Sequence, residues 1–122
     1  MKPVLPLILF LTILTSPGIA EVTVRAYEQG KTDASVAESL RLYIAGVAEG
    51  FRVADVQCRR TRDSRPLFCL PKGYTFGSVD YATLVDSEIQ RKRDAGERNL
   101  EDRYIEQLLF EALQKKYPCA RH

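Results

Sequence analysis

The chain has 122 residues, with 18 basic and 16 acidic side chains, three cysteines, one histidine and no tryptophan. So even a balance gives no electrostatic case for nucleic acid or another polyanion as partner. The one histidine is the last residue, His122, which argues against a Cys–His or Ser–His catalytic pair and against a histidine-based metal set.

Taken in chain order, the first twenty residues have the pattern of a secretory leader. Lys2 supplies the positive start, residues 4–14 are uncharged and apolar, and Thr15-Ser16-Pro17-Gly18-Ile19-Ala20 offers small residues for a cut after Ala20. A membrane-spanning helix needs about 20 apolar residues, and this run is interrupted by Pro6 and Pro17. Glu21 follows the expected cut, so no cysteine stands there to carry a lipid. The expected product is free in the periplasm, with no stable membrane association. Removing residues 1–20 takes away Lys2 and no acid, and leaves 102 residues with 17 basic against 16 acidic side chains. That length suits one domain, residues 21–122.

Residues 21–30 suggest one or two helical turns ended by Gly30. The strongest helix begins near Asp33, which can cap it, and Ser35-Val36-Ala37-Glu38 fits a capping box. Val36, Leu40, Tyr43, Ile44, Val47, Phe51 and Ala54 then form a helical stripe. Gly46 and Gly50 share a face of that helix. Each costs about 1 kcal/mol relative to alanine in a helix interior, so they suggest close approach of another helix or a partner.

Periodicity fades from residue 59 to residue 73. The arginine cluster (Arg52, Arg59, Arg60, Arg62, Arg65) reads as a solvated loop, and Leu67-Phe68-Cys69-Leu70-Pro71 as a buried extended tether. A second helix is expected from about Ser78, with Ala82, Val85 and Ile89 on one side and Tyr81 and Leu84 beside them. Arg91-Lys92-Arg93 in its last turn suits the helix dipole, and Gly96 stops it. Asn99 can cap a third helix with Glu101 and Asp102 in its first turn. Its core stripe is Ile105, Leu108, Leu109, Ala112 and Leu113, with a Glu111–Lys115 pair at i,i+4 spacing and Pro118 as terminator. Val22 to Val24 and residues 67–70 are the only strand-like pieces. The expected class is all-α: three main helices, a short N-terminal helix, and one disulfide.

Three cysteines in an exported chain imply one bond and one leftover thiol. Spacing alone permits Cys58–Cys69 or Cys69–Cys119, and the second would close a loop worth roughly 4 kcal/mol on chain-entropy grounds. Cysteine spacing matches no zinc site, no glycine-rich phosphate loop follows a strand, and a Cys119/His122 dyad would sit where chains fray. Glu49, Asp55, Asp80, Asp86 and Glu88 fall on helices and read as solvated faces, with Glu49 open between a buried and an exposed place. No catalytic group, metal or cofactor is expected.

Three stretches in order carry a resemblance: Tyr43-Ile44-Ala45-Gly46-Val47-Ala48-Glu49-Gly50, then Leu67-Phe68-Cys69-Leu70-Pro71 shortly before Thr75, then Leu109-Phe110-Glu111-Ala112-Leu113 leading to Tyr117-Pro118-Cys119. Together, over residues 36–119, the chain resembles the Rap-type immunity family, the resistance-associated proteins of type VI secretion. Such proteins are small, helical and periplasmic, bind and block cell-wall amidase effectors, and often work as dimers. The resemblance implies an amidase partner, a homodimer, and packing roles for Tyr43, Gly46 and Gly50. It also implies a Cys69–Cys119 bond with Cys58 unpaired, because the family's cysteine before the Tyr-Ile-Ala-Gly motif is replaced here by Leu40. The blocked amidases use a Cys–His pair in a groove, so the polar connection at residues 94–102 becomes a candidate inserting loop. Glu97, Glu101 and Asp102 are then the candidate partner-binding acids. A different expectation is a periplasmic stress chaperone or envelope adaptor, which the same small helical scaffold would suit.

Overall fold

Thr23 starts the first helix. Its Oγ1 accepts the Ala26 N–H at 3.2 Å, one of the donors left open at a helix start. This computed structural model describes residues 21–62, 65–75 and 77–120. Helix α1 spans Val24–Gly30, α2 Ala34–Arg62, α3 Tyr81–Asp94 and α4 Ile105–Lys116, with a short 3-10 turn at Leu100–Asp102. The leader expected at residues 1–20 lies outside the described residues. The architecture is all-α, as its periodicities predict.

Helix α1 ends at Gly30, as expected, and the glycine serves a second purpose there. A Cβ there would meet side-chain carbons of Val36 and Leu40 at 2.9 Å, so glycine lets the first turns of α2 fold back onto α1. Asp33 caps α2, its Oδ1 accepting the Ser35 and Val36 N–H groups at 2.9 and 3.2 Å. The helix runs well past the expected limit and absorbs Arg59 and Arg60, which are helical, not looped. Arginine is a good helix former, and Arg59 reaches back one turn to Asp55 at 2.8 Å. Pro66, not the arginines, is the breaker.

Asp80 caps α3, accepting from Thr83 N–H at 3.1 Å and Thr83 Oγ1 at 2.8 Å, so this helix starts three residues later than Ser78. Its buried face is Tyr81, Leu84, Val85, Glu88, Ile89 and Lys92, with Ala82 only partly covered. Gly96 takes φ 70°, and the next N–H, of Glu97, bonds back to Lys92 O at 3.0 Å.

Asn99 does not cap the last helix. It adopts φ 60°, makes no side-chain cap and introduces the 3-10 turn, so Glu101 and Asp102 precede α4 instead of lying in its first turn. A distant segment caps α4: Ile105 N–H donates to Val22 O at 2.8 Å, beside an isolated antiparallel bridge between Thr23 and Tyr104. The short strand-like piece at Val22 to Val24 is thus used once, to clamp the two ends of the domain.

Helices α3 and α4 pack most extensively on each other, and α2 lies against both. The core runs through Val24, Tyr27, Ile44, Ala48, Val85, Ile89, Ile105, Leu108, Leu109 and Leu113. At about 1.5 Å per residue, the 29-residue α2 is about 43 Å long. It overhangs its shorter neighbours, and Leu42 and Val53 are more than half exposed. No described helix is long and apolar enough to cross a membrane.

Candidate functional site

The stretch after α2 is tied down at successive residues. Leu67 N–H donates to the buried Asp55 carboxylate at 2.7 Å, Cys69 N–H donates to Tyr117 O at 2.8 Å, and Cys69 is bonded to Cys119. The bond closes a 50-residue separation, while Cys58 is a free, exposed thiol. Phe68 is driven into the core by these ties, and Leu67 is turned outward with 44% of its surface exposed. The tether is therefore only half buried, since alternate residues of extended chain face opposite ways.

Leu67 forms one lip of an open groove with Phe51 of α2 and Phe110 of α4, rimmed by Arg103, Glu106, Gln107 and Glu111. Its volume is about 580 Å³. Phe110 stands edge-on to Phe51 and to the buried Phe68, with ring centroids at 5.3 and 6.5 Å, so the two rings that line the groove are backed by a third in the core.

The polar rim is equally ordered. Arg103 donates to Glu97 at 2.7 Å and to Glu111 at 2.6 Å, and Lys92, only 8% exposed, bridges the same two carboxylates at 2.9 and 2.7 Å. Two cations and two acids alternate in a closed ring that joins α3, the connection and α4. Arg103 and Lys92 hold the Glu97 carboxyl below its ordinary value. Burial opposes the same effect at Glu111, and the two cations prevail there too. Glu111 is taken up by this ring, not by the expected Lys115. On the opposite rim Glu106 Oε1 accepts Val22 N–H at 3.0 Å and the Tyr43 hydroxyl. Burial and then the Glu106 carboxylate push the Tyr43 phenol well above its usual range.

The candidate residues divide accordingly. Tyr43 packs against the core and reaches Glu106. Gly46 and Gly50 are exposed, and no atom lies within 4 Å of where a Cβ would stand, so they line no close helix contact within the chain. The reason is rotational: α2 turns Ile44, Ala48 and Asp55 inward, and the glycines lie on its other side. Glu97 is held by the ring, Glu101 by Arg93 at 3.2 Å and Asp102 by Arg25 at 3.0 Å. These acids are each paired within the chain, Glu101 at a partly exposed position and Asp102 at an exposed one. Asp55 and Glu88, read as solvated, are buried at 3% and 4% exposure and paired with Arg59 and Arg91. Glu49 is half-buried against Arg52.

The groove residues were individually visible in sequence, Phe51 in the helical stripe and Leu67 in the tether, but their meeting was not. Arg103 carries no periodic signal, because it lies in extended backbone just before α4, and Glu106 stands in the first turn of that helix. Among the described residues no group of three His, Cys, Asp or Glu could hold a metal ion, and His122 lies outside them. Fold and site together define a small, disulfide-braced helical domain bearing an apolar groove with a charged rim. No protein-family model, no curated protein and no solved structure matches the chain.

Proposed function

We propose that this is an exported immunity-type protein that inhibits a peptidoglycan amidase of type VI secretion by stoichiometric binding, and that the Phe51–Leu67–Phe110 groove is its contact surface. The groove carries the reading. Apolar side chains gathered in one groove, unlike singly exposed ones, mark contact sites, and aromatic anchors inside a charged rim are the usual centre of protein interfaces. An inhibitor of this kind needs a rigid scaffold, and the ties at Leu67, Cys69 and Cys119 supply one directly beside the groove. The family resemblance supplies the amidase as partner and the periplasm as its place.

The test is a titration of the amidase encoded beside this gene. Wild type should inhibit at one to one, and Leu67→Asp, a change at an exposed residue, should lose inhibition without altering the melting temperature. Full inhibition by Leu67→Asp would remove the groove from the interface. Absence of any such neighbouring amidase, together with binding of many unfolded proteins at low pH, would replace the immunity reading with the chaperone one.

A further inference from the structure

Glu106 forms one wall of the groove, and its carboxylate is only half used. Oε1 receives two donors, whereas Oε2 is buried without a donor among the described residues. A carboxylate oxygen shut from water with nothing to accept is destabilising, and native folds rarely tolerate one. Arg103, the cation that shares the groove, is already taken by Glu97 and Glu111. The chain beside Glu106 is fixed: Val22 O accepts from Ile105, Val24 N–H donates to Arg103 O at 2.8 Å, and Thr23 bridges Tyr104. Successive backbone nitrogens lie about 3–4 Å apart, so the nitrogen of Glu21 is held one short step from the Val22 N–H that touches Glu106.

We propose that the α-ammonium group created at Glu21 by cutting after Ala20 is the missing donor to Glu106 Oε2, so that removal of the leader completes this wall of the groove. The proposal rests on the reading of the chain as exported and cleaved. In the uncut chain the Glu21 nitrogen is a neutral amide. Cleavage turns it into a cation with three donors, one residue from the Val22 N–H that already reaches Glu106. A charge-assisted bond to a carboxylate is among the stronger single contacts available to a domain of this size. Processing then becomes a structural step, in which the cut chain holds its first residues more firmly than the precursor does.

Every described buried residue of the core falls between Val24 and Leu113, so a chain beginning at Glu21 contains all of the described core. Residues 21–122 are prepared with the disulfide formed and three N-termini: the free amine at Glu21, the same amine acetylated, and Ala20 retained. Urea unfolding should show the free Glu21 form favoured about tenfold in its folding equilibrium, or about 1.4 kcal/mol, over the other two. In Glu106→Gln the three forms should be equal. Equal midpoints in the wild-type background, or an undiminished difference in Glu106→Gln, would overturn the assignment. Should Glu106→Gln fail to fold, the titration of the Glu21 amine in wild type decides. Pairing requires a pKa above the ordinary value of about 7.7–8.0, and an ordinary value overturns the pairing. These chains never meet the export machinery. The cleavage reading is tested apart from them, by N-terminal sequencing of the periplasmic product, which should begin at Glu21.

Discussion

Replacing Cys69 and Cys119 together by serine tests what the bond contributes, and removing both avoids exchange with the free thiol of Cys58. The bond closes a separation of 50 residues. On the chain-entropy relation, a loop of about 50 residues restricts the unfolded chain by close to 14 cal/mol/K, or about 4 kcal/mol at 25 °C. That is a large part of the roughly 5–15 kcal/mol holding a small domain together. The folded state loses little beyond the bond, because the Leu67–Asp55 and Cys69–Tyr117 hydrogen bonds hold the same segment. The expected loss is therefore about 3–4 kcal/mol, acting through the unfolded state. Two observables follow in urea unfolding: a lower midpoint, and a steeper dependence on denaturant, because the unlinked chain exposes more surface. The folded variant should keep its helical circular dichroism. A double serine variant with the wild-type midpoint and slope would refute the reasoning. A variant that loses helix before any denaturant is added would show the bond to be holding native packing, not limiting the unfolded chain.

Gly50→Ala should stabilise the protein by up to about 1 kcal/mol, since the added methyl meets open space and α2 loses a helix-weakening residue, and the midpoint of urea unfolding reads this directly. Destabilisation by that change would instead place a packed partner on this face. Stability should fall in acid. Asp80, held down by the N–H and hydroxyl of Thr83, Glu97, held down by Arg103 and Lys92, and Glu111, held down by Lys92 and Arg103 against its burial, all have carboxyls lowered in the folded state. Groups of this sign contribute fully above the unfolded values of about 4 and lose that contribution as pH falls through the lower folded ones. The unfolding midpoint should thus be flat from about pH 5 to 7 and drop below about pH 4, and an unchanged midpoint at about pH 3 would contradict these pairings.

The helices were legible because their apolar spacing is strong. The stripe from Ile105 to Leu113 and the Asp33 cap both stand where periodicity put them. Helix ends were less so. Arg59 and Arg60 looked like loop because charge was taken for solvation, yet a neighbouring buried acid, Asp55, keeps that turn helical. The start of α4 was misplaced because its cap comes from Val22, more than 80 positions away, and no local pattern records such a partner. The same limit hid the candidate site. Phe51, Leu67 and Phe110 are brought together by ties through Asp55, Tyr117 and the disulfide, and the acids at residues 97–102 looked free only because Lys92, Arg93, Arg103 and Arg25 could not be placed beside them. Gly46 and Gly50 were read from cost alone; the cost is real, but nothing in this chain occupies the space.

The clamp between Val22 to Val24 and Arg103 to Ile105 has a consequence in time. Val22 and Glu106 are 84 positions apart, so a chain made from its N-terminus cannot seat its first helix until the last one exists. At about 5–20 residues per second, that is a wait of roughly 4–17 s, during which Val24 and Tyr27 have no finished place to go. For the export proposed above, a first segment that waits that long for its partners is one that can still be threaded. The long-range bonds that finally secure it form only after residues 103–106 have been made.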